Sequence, residues 1–158
     1  MNNYDKLYFA ANLLIDISED RQKDYQSIKN DGYTSLGFAK EIRTIRIATS
    51  RGSGHTECIR KLINNRFNKN VMLILNNQNM IEEYIRPEPS GSITYPIFSF
   101  YNIDNIYRGR DYSNLEAIIV DTSTYSMSKN EEDELYKNIF PAIYPQIISK
   151  TFFFIFVQ

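Results

Sequence analysis

Residues 43–63, RTIRIATSRGSGHTECIRKLI, hold three patterns in succession. Ile45 and Ile47 alternate with charged or polar neighbours from Arg43 to Thr49, the period of two expected of a strand. Ser50-Arg51-Gly52-Ser53-Gly54-His55-Thr56 follows as a glycine-bearing loop, and Cys58, Ile59, Leu62 and Ile63 then form the apolar stripe of a helix. Strand, loop, helix is the order from which α/β domains are built.

Outward from this stretch the alternation continues. Val71 to Leu75 is a short continuous apolar run, as in a strand buried on both faces of a parallel sheet. Met80, Ile81, Tyr84 and Ile85 are helically spaced until Pro87, Pro89 and Gly91 interrupt. Pro96 to Ile103 is aromatic and β-prone, and Leu115 to Val120 is a strongly apolar strand ending at Asp121. The acidic segment Asn130 to Glu134 opens a helix carrying Leu135, Ile139, Ile143 and Ile147, which Pro141 and Pro145 are expected to break or kink. Thr151 to Val157 is the closing strand. On the other side, Tyr4 to about Lys29 reads as one or two helices, Asn30-Asp31-Gly32 as a turn, and Tyr33 to Glu41 as a short helix starting at Thr34 or Ser35. The expectation is an α/β three-layer sandwich with a mainly parallel sheet. It forms a single domain over 1–158, with the helical segment 1–40 packed on it.

Composition narrows the function classes. The chain has 158 residues, 18 Lys and Arg against 19 Asp and Glu, and a formal net charge of −1. A near-neutral balance argues against whole-surface attraction to nucleic acid, so any such contact must be local. A lone Cys58 excludes an internal disulfide framework and a Cys-rich zinc site, and points to a reducing compartment. A lone His55 excludes a His-rich metal cluster. The first twenty residues lack the basic and apolar regions of a signal peptide. The longest apolar run, Phe152 to Val157, is far shorter than the ~20 residues of a membrane helix. No membrane partner is expected, and a cytoplasmic location follows.

The loop carries the sharpest chemical signal. A phosphate cradle needs small residues whose N–H groups turn inward, a helix N-terminus behind them, a Lys charge, and a hydroxyl for Mg²⁺. Gly52 and Gly54 allow close backbone approach, and Thr56 stands where the metal-binding hydroxyl belongs. His55 occupies the place of the Lys, and Thr49 that of the first Gly of GxxxxGK[ST]. An imidazole is mostly neutral at pH 7 and shorter than Lys, so hydrolysis should suffer more than binding. A tight strand-to-helix turn would use the same two glycines. The second signal is Asp121, a carboxylate at the end of an apolar strand, the position from which Mg²⁺ is held through water. An ordinary Asp turn would look the same taken alone. Thr122 follows where many NTPases carry a Glu that polarises water.

Thr49 to Thr56 resembles the SRGSGK[ST] form of Walker A in the large terminase subunit, the DNA-packaging ATPase of tailed phages, and in helicase-like P-loop NTPases. Asn70 to Ile85 resembles the strand and helix that follow the P-loop there. Tyr107-Arg108-Gly109-Arg110 followed by Leu115 to Asp121 resembles their Walker B region. The likeness covers roughly residues 40 to 158. It implies a P-loop NTPase-like fold in which Arg51, Gly52, Ser53, Gly54, His55 and Thr56 contact phosphate and Thr56 and Asp121 hold Mg²⁺ with ATP or GTP. A phage-encoded chain would work in the host cytoplasm. Both principal hydrolytic residues depart from the pattern, at His55 and Thr122, so no catalytic residue is assigned. The implied protein is a degenerate relative with weak or absent hydrolysis.

Two rivals stand beside it. One is a protein-interaction module that kept the fold and lost the nucleotide. The other is a small active NTPase in which Arg51, or a partner's residue, restores the missing charge. Arg108 and Arg110 are candidate DNA contacts, with solvated loop charge as the plainer account. Arg60, Lys61 and Arg66 read as a solvated helix face. Phe98, Phe100, Tyr101 and Phe152 to Phe156 read as core rather than base-stacking residues. Cys58 reads as a small buried helix residue.

Overall fold

The computed structural model describes residues 2–27, 35–48, 54–89, 91–107, 111–122, 127–147 and 149–158. Among the described residues five strands form one sheet: β1 (Thr44–Ile47), β2 (Val71–Leu75), β3 (Ile97–Ser99), β4 (Ala117–Asp121) and β5 (Phe153–Val157). Their order is β1-β5-β4-β2-β3, and every pair is parallel. The last strand of the sequence lies inside the sheet, next to the first.

Helices cover both faces, as a fully parallel sheet requires. Side chains alternate along a strand, so each central strand feeds two cores. Val71, Leu73 and Leu75, Ala117 and Ile119, and Phe153, Ile155 and Val157 meet α1 (Asn3–Ser27), α3 (His55–Lys61) and α4 (Gln78–Ile85). Met72 and Ile74, Ile118 and Val120, and Phe154 and Phe156 meet Ala39 of α2 (Ser35–Glu41) and the buried stripe of α5 (Lys129–Ile147). The expected three-layer α/β arrangement is thus present, and the sheet is wholly parallel.

The connections obey one rule. From β1 to β2 and from β2 to β3 the chain moves one way across the sheet, through α3 and α4 on the first face. From β3 to β4 and from β4 to β5 it moves back, through the 3-10 segment Phe100–Tyr107 and α5 on the second face. Crossovers of a single hand must change face when they change direction. Adjacent β2 and β4 therefore send their helices to opposite faces, which opens a crevice beyond their C-terminal ends.

Three expectations are corrected. The β-prone stretch Pro96 to Ile103 is a strand only over Ile97–Ser99 and turns into the 3-10 helix at Phe100, where Tyr101 is 73% exposed rather than core. The α5 helix continues through Pro141 and Pro145 as one element, so the prolines do not break it. Leu135, Tyr136, Ile139, Ile143 and Ile147 are all buried against the sheet, and that packing outweighs the roughly 3 kcal/mol that each proline costs. Its N-terminus is fixed by a capping box: the Ser128 N–H and Oγ donate to Glu131 Oε2 at 2.8 and 2.7 Å, and the Glu131 N–H donates back to Ser128 Oγ at 3.3 Å. Arg60, Lys61 and Arg66 are not a solvated face. Arg66 pairs with Asp16 and Glu19, and Lys61 with Asp5, so two of the three clamp α1 to α3 and to the π-helical turn Leu62–Arg66 that continues it.

Among the described residues no helix is long and apolar enough to cross a membrane.

Candidate functional site

The register puts Ile47, Val157, Asp121, Leu75 and Ser99 in one row across the C-terminal edge of the sheet. One strand separates β1 from β4. With neighbouring strands ~4.8 Å apart, the chain leaving β1 and the carboxylate ending β4 are roughly 10 Å apart at their bases. Asp121 follows Ala117 and Ile119 by even steps, so it lies on the α3 side of the sheet.

Thr49, Ser50, Arg51, Gly52 and Ser53 lie outside the described residues, as do the turn Asn30-Asp31-Gly32 and the basic pair Arg108 and Arg110. The remainder of the loop is defined. Gly54 is the N-cap of α3 with φ 85° and ψ 34°, a left-handed conformation natural to glycine. Its carbonyl accepts the Cys58 N–H at 2.9 Å and so starts the helix. A Cβ on Gly54 would stand 2.6 Å from Tyr4 Cβ, because the first turn of α1 lies against it. The Lys61 ammonium sits 4.5 Å from the Tyr4 ring centroid and pairs with Asp5, which holds that turn in place.

Thr56 and Asp121, sixty-five positions apart, line one cavity of about 300 Å³. Leu75 lies between them at the sheet edge, and Arg60, Met80, Glu83, Tyr84 and Pro87 of the α3 and α4 layer complete the wall. Thr56 is exposed, whereas Asp121 is only 3% exposed. Arg60 is partly committed: its Nε stands 3.0 Å from Glu88 Oε1, its Nη2 donates to the Tyr84 carbonyl at 3.1 Å, and its guanidinium lies 4.9 Å from the Tyr84 ring centroid. Burial pushes the Tyr84 hydroxyl well above the usual phenol range, so it stays protonated across physiological pH.

His55 is buried at the start of α3. Thr122 is buried and turned back to the sheet: its N–H and its Oγ1 both donate to the Val157 carbonyl, at 2.8 and 3.2 Å. A hydroxyl so engaged is no general base. Among the described residues no group of three or more His, Cys, Asp or Glu could hold a metal by itself. One hydroxyl and one carboxylate are hard oxygen donors, the set that holds Mg²⁺ when phosphate and water complete the octahedron.

Sequence reasoning missed Arg60, Tyr84 and Glu83 as cavity walls. The helical spacing of Tyr84 placed it on α4, but nothing in the chain says that α4 faces α3.

Cys58, on the core side of α3, is fully buried, and burial pushes its thiol up to about 11. An unfolded thiol ionises near pH 9, so between pH 9 and 11 the unfolded chain binds fewer protons than the native one. Stability falls as pH rises through that window, by up to about 1.4 kcal/mol per pH unit. Urea unfolding at pH 8 and pH 10 should show a smaller drop for Cys58→Ala than for the unsubstituted chain. Equal drops would mean that the thiol is already solvated.

Comparison with known proteins gives no match to any family model, curated protein or solved structure.

Proposed function

We propose that this chain is a degenerate P-loop-type domain that binds a nucleoside triphosphate with Mg²⁺ over the C-terminal edge of its sheet and hydrolyses it slowly or not at all. The observation that carries the reading is the shared cavity of Thr56 and Asp121, with Thr56 two positions after the left-handed Gly54 that starts α3. Strand connectivity supports it as well, since Leu75 and Asp121 end β2 and β4, the pair of strands at which the crossovers change face, and both line this cavity.

The roles follow from the chemistry. The N–H groups at the start of α3 and its dipole attract phosphate oxygens. Thr56 supplies a hydroxyl and Asp121 a carboxylate to the cation, Asp121 through water. Weak turnover follows from two departures: a buried His55, shorter than the Lys it stands for, reaches a leaving phosphate poorly, and Thr122 is spent on the Val157 carbonyl. A place among DNA-packaging or helicase-type ATPases rests on the motif order alone, as do ATP or GTP as the nucleotide and DNA as a further partner.

Titration calorimetry with Mg-ATP and Mg-GTP tests this. Asp121→Asn should weaken Mg-nucleotide binding roughly tenfold or more, about 1.4 kcal/mol, and leave metal-free binding unchanged. Equal affinities for the two proteins would remove Asp121 from the site. The interaction-module reading draws on one contact, the first turn of α1 against Gly54, which covers one side of the helix start. Absence of heat at millimolar nucleotide would favour it.

A further inference from the structure

Helix α1 is apolar on two sides. Leu7, Ala11 and Ile15 enter the core, yet Phe9, Leu13, Leu14 and Ile17 stand 67, 53, 39 and 48% exposed on the outward side. Phe9, Leu13 and Ile17 recur every four residues and make one continuous stripe, with exposed Ala10 beside it. A contiguous apolar patch on an outward face marks an interaction site.

The charges at its ends identify the occupant. At 100° per residue, Lys6 and Asp20 fall on the same face as the stripe, one beyond each end. Place a second α1 antiparallel across a two-fold axis at Leu13, and each residue opposes the one whose number brings the sum to 26. Phe9 then meets Ile17, Leu13 meets its own copy, and Lys6 meets Asp20, twice over. The pair that Asp20 makes within its helix, with Lys23 at 3.7 Å, is loose enough to yield. An anionic lipid surface fits poorly, because exposed Asp16, Asp20 and Asp24 border the stripe.

We infer that α1 is a self-docking surface, through which two copies of this chain pair antiparallel about Leu13 in an isologous interface. The inference is independent of nucleotide binding, since the stripe lies on the side of α1 turned away from α3 and the cavity.

Sedimentation velocity across about 1 to 200 µM tests it, with circular dichroism to confirm that each exposed-site variant stays folded. The unsubstituted chain should dimerise within that range. Leu13→Glu, which strikes the axis twice, should weaken the dimer roughly a hundredfold. Lys6→Glu and Asp20→Lys should each weaken it severalfold, and the double variant should recover, because the swapped charges attract again. A chain that stays monomeric throughout, a dimer indifferent to Leu13→Glu, or a double variant no better than the single ones would overturn the proposal. So would pelleting with phosphatidylglycerol vesicles in place of self-association.

Discussion

Gly54→Ala is expected to lower the free energy of unfolding by about 2–5 kcal/mol. Two costs add. An L-residue at φ 85° loses ~1–2 kcal/mol by conformation alone, because its Cβ crowds the following carbonyl. The new methyl would also sit 2.6 Å from Tyr4 Cβ and 3.4 Å from Tyr4 Cα, so backbone must move and not merely a side-chain tip. Such overpacking costs ~1–3 kcal/mol. Gly91 supplies the control: its φ is 82°, but a Cβ there meets nothing within 4 Å. Gly91→Ala should therefore show only the conformational part. Urea midpoints at unchanged m-value measure both. Equal losses for the two variants would mean that Tyr4 does not lie against the loop.

Phe156→Ala is expected to cost about 3–5 kcal/mol. Phe156 is fully buried on the interior strand β5, facing α5, with its ring centroid 6.1 Å from that of Tyr136. The Arg46 guanidinium stands 5.6 Å over its ring, and Arg46 and Val120 flank it in the sheet. Deleting the ring opens a cavity between two layers that cannot both collapse, since α5 is also held by Lys40 to Asp133 and Arg46 to Glu132. Phe156→Leu, which keeps most of the volume, should cost less than half as much. A loss under about 1 kcal/mol for Phe156→Ala would mean that α5 does not pack on this strand.

The strands were legible because apolar runs such as Val71–Leu75 are buried on both faces, and an unbroken run is the signature of that setting. The prolines of α5 suggested a break that does not occur, because local propensity was set against a five-residue buried stripe that the sheet holds in place. Arg60, Lys61 and Arg66 misled for a related reason. Charge reads as solvent until the chain brings Asp5, Asp16 and Glu19 of α1 against it, and no local pattern records that contact. Thr56 and Asp121 were legible one at a time, as a hydroxyl after a glycine loop and a carboxylate ending a strand. Their meeting depends on β5 entering between β1 and β4, a long-range choice that periodicity does not encode.

The most direct measurement is a two-dimensional ¹⁵N–¹H titration with Mg-ATP. The account predicts saturable shifts of the Gly54, His55 and Thr56 amides, with Asp121 and Leu75 moving alongside, and loss of the metal-dependent part in Asp121→Asn. Amides at the start of α3 that stay fixed at millimolar Mg-ATP would contradict it.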